Sequence, residues 1–315
     1  MGLSPLNVLF HYTAGPDLKT RLAAVPDLRI TPCADDDEAL LASLLPETDV
    51  LWHVLKRCTS EMIAAAPKLR LIQKIGVGVN TIDLEAAKAR GIAVCNLPGT
   101  NARAVAELTL ALMLAVFRRL PRFDAAMRRG EWLDPDLQDG IGELGGRTVG
   151  LVGYGAIPRL LAPVLIALGC RLIYTSRTPR DDALGEWRSL DALVSEADVI
   201  SLHLPLTDDT VSLIDAAALA RMKPGAVLIN TARGGLVDQV ALTEALANGR
   251  LAGAGLDVFV HEPHDVSEAL FHLPNVVLTP HIAWLTTGTF DRSFALAAEN
   301  CRRLTAGDTL LHRVV

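Results

Sequence analysis

The glycines in Gly150-Leu-Val-Gly-Tyr-Gly155 constrain this 315-residue chain more than any other feature. Gly153 and Gly155 close an apolar run, Val149–Val152, and open a helix-forming segment. In a strand-turn-helix unit the first glycine permits the tight turn, and the second lets the main chain approach a bound pyrophosphate. The amides of Ala156 and Ile157 would then point at phosphate oxygens from a helix N-terminus. Pro158 stands where such a fingerprint has its third glycine. Proline is tolerated there because the first helical turn has no intrahelical use for its missing N–H.

The residues around this loop alternate between apolar runs and helical patterns, which is the signature of parallel strands with crossover helices. Strands are expected at Leu6–Phe10, Asp49–His53, Leu69–Gln73 and Ile92–Cys95. After the glycine loop they are expected at 171–174, 199–202, 226–229, 253–256 and 276–279. A long helix is expected from Thr100 to Leu120, and a final one from Thr289 to Leu304. The expected fold class is α/β, with two doubly wound parallel-sheet domains. A Rossmann nucleotide domain (99–284) is inserted into a flavodoxin-like substrate-binding domain (1–98 and 285–315).

A formal charge of -6 gives no basic surface for nucleic acid. The longest apolar stretch, Leu108 to Phe117, is too short to cross a bilayer. The five cysteines are scattered with no C-x-x-C, which fits free thiols in a reducing cytoplasm. The chain opens without a secretory segment, so a cytoplasmic protein is expected. No metal site is expected.

The strand after the glycine loop bears on the choice of dinucleotide. NAD-binding units place an acid about 20 residues on, to accept from the ribose 2′-OH. Here the corresponding run is Tyr174-Thr-Ser-Arg-Thr-Pro-Arg180, with no acid before Asp181. A guanidinium and hydroxyls suit a 2′-phosphate. The expectation is NADP(H), with NAD(H) possible as the lesser partner. Arg177 is the main contact, and Ser176 and Thr178 support it.

Three further residues follow expected strands: Arg233 in Asn230-Thr-Ala-Arg-Gly-Gly-Leu-Val-Asp238, Glu262 in Asp257-Val-Phe-Val-His-Glu-Pro263, and His281 in Thr279-Pro-His-Ile282. Singly, each reads as a strand cap or a turn residue, as do His203, His261, His264 and His272. Together at the carboxyl edge of one sheet they form a set for reducing a 2-keto acid. Arg233 forks onto a carboxylate. His281 supplies a proton near neutral pH. Glu262 favours the imidazolium by its opposite charge.

These segments, with Gly76-Val-Gly-Val-Asn-Thr-Ile-Asp83, Ala104-Val-Ala-Glu107 and Leu202-His-Leu-Pro-Leu-Thr207, resemble the D-isomer-specific 2-hydroxyacid dehydrogenases over nearly the whole chain. The resemblance implies that Arg233, Glu262 and His281 match the family's substrate arginine, tuning glutamate and proton donor. It implies that Val77 and Gly78 hold the substrate carboxylate through their amides. Pro205 and Thr210 would lie along the dinucleotide. Thr231, Ala232 and Asp257 would lie at its nicotinamide end. It further implies a homodimer, with the helix from Thr100 as a candidate element.

Pro158 and the Ser176-Arg177 pair depart from the NAD-dependent pattern. The run 174–180 is similar to NADPH-using glyoxylate/hydroxypyruvate reductases. His281-Ile-Ala-Trp284 is similar to glycerate dehydrogenase-like members, which puts Trp284 either at the substrate pocket or in the packing of the last helix. The expected activity is NAD(P)H-dependent reduction of a small 2-keto acid to the D-2-hydroxy acid. Two alternatives are a phosphoglycerate-type or other NAD-dependent dehydrogenase, for which the chain lacks room for an added regulatory domain, and a non-catalytic dinucleotide sensor. Oxidation of a simpler donor, such as formate, is disfavoured because it needs no proton donor at a carbonyl.

Overall fold

In the computed structural model, which describes residues 5–132 and 135–315, the apolar runs form two parallel sheets. The first contains β1 (Leu6–His11), α1 (Pro16–Ala23), β2 (Leu28–Cys33), α2 (Glu38–Leu44), β3 (Val50–His53), α3 (Ser60–Ala64), β4 (Leu71–Lys74), α4 (Leu84–Ala89) and β5 (Ala93–Cys95). Its strand order is β2-β1-β3-β4-β5, that of a flavodoxin-like sheet. The chain then forms α5 (Ala102–Phe117), α6 (Leu120–Arg128), α7 (Pro135–Gln138), β6 (Thr148–Val152), α8 (Ala156–Ala167), β7 (Arg171–Thr175), β8 (Glu186–Trp187) and α9 (Leu190–Glu196). It continues through β9 (Val199–Leu202), α10 (Ala216–Arg221), β10 (Ala226–Asn230), α11 (Gln239–Ala247), β11 (Leu251–Leu256), β12 (Val276–Leu278) and α12 (Thr287–Ala306). The second sheet runs β12-β11-β10-β9-β6-β7-β8, a Rossmann order with its reversal between β6 and β9.

The chain divides into one unit of 1–101 with 285–315 and another of 102–284. The return of α12 to the first unit has a clear cause. Phe294 stacks on Trp52 at 5.4 Å and meets Phe10 edge-on at 5.8 Å. The buried Asn300 amide donates to Gln73 Oε1 at 2.7 Å and to the Leu311 carbonyl at 3.0 Å. Arg292 donates to the Thr100 carbonyl at 2.7 Å, which holds the 98–101 segment with this unit, three residues beyond the boundary expected at 98.

Central strands such as β3, β6 and β10 are buried along their whole length, as expected when helices cover both faces. Aspartate and threonine caps start several helices. Asp83 accepts from the Ala86 amide at 2.9 Å, and Asp238 from the Ala241 amide at 3.0 Å. Two strands escaped the sequence reading, β2 and β8. Both lie at sheet edges. An edge tolerates Pro32, whose missing N–H would break a central ladder, and it tolerates a strand of only two residues. Among the described residues no helix is long and apolar enough to cross a membrane, and no cluster suits a metal ion. All five cysteines are free and buried.

The fold also buries histidines that must stay neutral. His11 and His53 are register partners at the carboxyl ends of β1 and β3. Neither ring nitrogen of His11 has a partner among the described residues. Burial, with Lys56 nearby, pushes His11 down to about 4, and burial pushes His203 down to about 3. An unfolded chain therefore takes up protons at these sites before the folded one does. Their contribution to stability is fully present above the unfolded value of about 6.5 and is lost as pH falls toward 4. Chemical denaturation at stepped pH should show stability falling between pH 6.5 and 4, by up to about 1.4 kcal/mol per pH unit for each histidine. A flat profile in that window would contradict this.

Candidate active site

Because the second sheet is parallel, the loops after β10, β11 and β12 all leave its carboxyl edge side by side. Those loops carry Arg233, Glu262 and His281. Glu262 Oε2 accepts from His281 Nδ1 at 2.7 Å, and Oε1 accepts from the Phe259 amide at 3.0 Å. An ionised carboxylate can only accept, so the proton shared with His281 sits on Nδ1. Burial pushes the Glu262 carboxyl up. The His281 hydrogen bond and charge, the Phe259 amide and Arg233 outweigh it, and the net shift is downward. Nε2 of His281 has no partner among the described residues and is not sealed from solvent.

His281 adopts φ 54°, a left-handed conformation that is uncommon for a non-glycine residue. Its surroundings hold it there. Its amide donates to the Asp257 carbonyl at 2.8 Å, and its carbonyl accepts from Trp284 Nε1 at 3.0 Å. Asp257 is wholly buried. Its Oδ1 accepts from the Thr279 hydroxyl at 2.6 Å and the Ile282 amide at 2.8 Å, and its Oδ2 accepts from the Ala283 amide at 2.9 Å. Burial raises its pKa, opposed by these bonds and by His281. Trp284 is thus a buried clamp on the His281 turn.

The Arg233 guanidinium is largely buried and donates from Nη1 to the Ala232 carbonyl at 2.6 Å. Burial lowers its pKa, and the Glu262 charge opposes that. Its other donors have no partner among the described residues. A fork of N–H groups on one loop and an open imidazole nitrogen on a neighbouring loop of the same sheet edge are suited to gripping a carboxylate and exchanging a proton.

Several residues that organise this site escaped the sequence reading. Asn230 accepts from the Ala232 amide at 3.0 Å and donates to the Arg233 carbonyl at 2.8 Å, folding the turn that presents Arg233. Gln239 accepts from the Val260 amide at 3.2 Å. Thr109 pairs with the Thr231 hydroxyl at 2.9 Å, joining α5 to the loop after β10. The signal most open to sequence reading was Gly234-Gly235, since paired glycines after a strand mark a close backbone approach.

The nucleotide loop has the expected form. Gly153 has φ 97°, and a Cβ there would lie 2.7 Å from the His203 carbonyl oxygen. Gly155 caps α8 next to open space, where an added Cβ would meet nothing within 4 Å. The exposed Ala156 and half-buried Ile157 supply first-turn amides, which have no intrahelical acceptor. Pro158 is buried in that turn. Ser176 donates to the Thr178 carbonyl at 2.6 Å, and the exposed Arg177 has no partner among the described residues. Thr210 donates to the Pro205 carbonyl at 2.8 Å, closing the loop after β9. These residues all lie on one sheet edge and can cradle a dinucleotide phosphate chain. In the first unit, Asn96 and Leu97 donate to the carbonyls of Val77 and Gly76. The amides of Val77 and Gly78 are left without acceptors among the described residues.

A sequence profile described as D-isomer specific 2-hydroxyacid dehydrogenase, NAD binding domain, matches residues 110–283. The D-3-phosphoglycerate dehydrogenase of Mycobacterium bovis is 43% identical over 309 residues, which covers 96% of this chain and 57% of that protein. The chain thus spans little more than half the length of that relative. The glyoxylate reductase of Thermococcus litoralis is 43% identical over 280 residues, covering 85% of this chain and 84% of that one. The solved structure of the NADPH-dependent glyoxylate/hydroxypyruvate reductase of Sinorhizobium meliloti, with NADP and malonate, matches with a TM-score of 0.83. It is 32% identical and covers 99% of this chain and 97% of its own.

The turn that presents Arg233 rests directly on the loop that carries Glu262. A Cβ on Gly234 would lie 2.0 Å from the Phe259 carbonyl carbon, so the two main chains must separate if one is added. Gly234→Ala should therefore destabilise the second unit by about 1–3 kcal/mol, in the range of a forced overpacking. A denaturation midpoint matching that of the unchanged protein would refute this packing.

Proposed function

Because the chain belongs to the D-isomer specific 2-hydroxyacid dehydrogenase family, we propose that it reduces a small 2-keto acid, of the glyoxylate or hydroxypyruvate kind, to the D-2-hydroxy acid. The observation that carries this reading is the His281–Glu262 pair, 2.7 Å apart, with His281 Nε2 left open. A bound reduced nicotinamide supplies the hydride. His281 gives the proton to the ketone oxygen from Nε2, and Glu262 balances the imidazolium charge on the other side of the ring. Arg233 orients the substrate carboxylate and polarises the carbonyl. In the reverse direction the same imidazole takes the proton. The reading also assigns Val77 and Gly78 of the first unit to substrate binding.

NADP(H) is the favoured dinucleotide in this reading, with NAD(H) as the lesser one. Arg177 stands after β7 where a carboxylate would otherwise accept from a 2′-OH, and among the described residues no group competes for its guanidinium. The amides of Ala156 and Ile157 take the pyrophosphate. Pro205, Thr210, Thr231 and Ala232 line the remainder, whereas Asp257, expected at the nicotinamide end, is wholly buried and backs that end from behind. The likeness to D-3-phosphoglycerate dehydrogenase over 96% of this chain favours a second reading, NAD-linked turnover of a phosphorylated acid.

A homodimer is part of the proposal. The helix from Thr100 is the candidate element, and just beyond it Leu120, Met127 and Trp132 are exposed at 53%, 50% and 76%. Light scattering at micromolar concentration should give twice the chain mass. A monomer would overturn this part.

The enzymatic test is oxidation of NADPH and NADH with glyoxylate, hydroxypyruvate, pyruvate, phenylpyruvate and 3-phosphohydroxypyruvate. Fast turnover of a small keto acid with NADPH is expected. Preference for 3-phosphohydroxypyruvate with NADH would move the assignment to the second reading. Binding of dinucleotide with no turnover of any acid would identify a sensor instead. His281→Ala should lower kcat roughly 10²–10⁴-fold with dinucleotide affinity retained. Unchanged turnover would remove His281 from the mechanism.

A further inference from the structure

The segment between β7 and β8 carries Arg177, and its main chain is held at three points by aromatic side chains. Trp187 Nε1 donates to the Ser176 carbonyl at 3.1 Å. The Tyr174 hydroxyl accepts from the Arg180 amide at 2.8 Å and donates to the Arg180 carbonyl at 3.3 Å. The Tyr154 hydroxyl accepts from the Leu184 amide at 2.8 Å. Tyr154 lies between the two glycines of the nucleotide loop, and its ring packs against that of Tyr174 with centroids 4.8 Å apart. Both rings are almost wholly buried, at 4% and 2% exposure.

The Arg177 side chain has no protein partner among the described residues, so only its main chain is fixed. The neighbouring arginines differ. Asp182 pairs with Arg159 at 2.6 Å and with Arg180 at 3.3 Å. Arg177, Thr178 and Pro179 are therefore a short span between two anchored points, Ser176 and Arg180. A span held in this way does not have to be ordered when an anion arrives, and preorganisation of that kind strengthens binding without a new contact.

We propose that Tyr174, backed by Tyr154, is a positioning residue for dinucleotide selectivity. Its hydroxyl holds the 177–179 main chain in the form that accepts a 2′-phosphate, and it does not touch the ligand. The proposal rests on the NADP(H) reading above. Neither hydroxyl contributes to the glycine turn or to the helix terminus that would receive the pyrophosphate. The brace therefore acts on the 2′ substituent and leaves the 5′ phosphates alone.

The test is calorimetric binding of adenosine 2′,5′-bisphosphate and of adenosine 5′-diphosphate to the unchanged protein, to Tyr174→Phe and to Arg177→Ala. Tyr174→Phe keeps the ring and removes only the hydroxyl. It should weaken the 2′,5′-bisphosphate about tenfold, as loss of one or two ordinary hydrogen bonds allows, with the 5′-diphosphate within about twofold. Arg177→Ala should erase the difference between the two ligands. If the unchanged protein shows no preference for the 2′-phosphate, the NADP(H) reading itself fails. If the preference exists and Tyr174→Phe leaves it intact, the brace is refuted. Equal weakening of both ligands would also refute it, because that result belongs to a general loosening of the nucleotide unit. Tyr154→Phe should act in the same direction as Tyr174→Phe, and an opposite shift would contradict the shared role.

Discussion

Asp257 is the point on which the candidate site depends. Its amide donates to the Asn230 carbonyl at 3.0 Å, which joins the ends of β10 and β11. Its carbonyl accepts from the His281 amide, and its carboxylate accepts from Thr279, Ile282 and Ala283. One buried residue thus ties together the arms that carry Arg233, Glu262 and His281. A buried carboxylate is expensive unless its lone pairs are used, and here three donors from one loop use them. The same bonds turn the 279–283 main chain and keep His281 at positive φ, with Nδ1 on Glu262 and Nε2 open.

The rest of the site follows from how closely the arms approach. Gly234 lets the Arg233 turn rest on the Phe259 main chain, and Gln239 adds an acceptor for Val260. Glu262 is consequently fixed from two sides before any ligand is present. Reacting groups held on strand ends and locked by a surrounding shell of hydrogen bonds need little reorganisation, which is the condition for electrostatic preorganisation. The nucleotide half is built on the same principle. The Gly153 turn abuts the His203 carbonyl, and α8 begins beside the open space at Gly155.

Much of this was legible in the sequence because the signals were local. Parallel strands buried on both faces read as apolar runs, the glycine loop announced the strand-turn-helix, and a final helix was legible from Thr289 to Leu304. Arg233, Glu262 and His281 could be grouped because each follows a strand of one sheet. Most of what escaped was either at an edge or long-range. β2 contains Pro32, which an edge tolerates. Thr109 and Gln239 act through partners that no spacing reveals, such as the Thr109–Thr231 pair 122 residues apart, whereas Asn230 bonds the main chain two and three residues on, a local turn that asparagine favours. Trp284 was placed between two roles by its sequence. Its hydrogen bond to His281 identifies it as part of the clamp.

The Asp257 carboxylate makes the His281 turn and, through it, sets the geometry of the His281–Glu262 pair. The most direct measurement is the turnover of Asp257→Asn with the best keto acid, set beside that of His281→Ala. Asparagine keeps the shape and turns an acceptor toward a donor, so an N–H would face the Ile282 or Ala283 amide. Turnover falling to within about tenfold of His281→Ala, in a protein that remains folded, is the predicted result. Turnover close to that of the unchanged protein would show that the His281 geometry does not depend on Asp257, and would contradict the account.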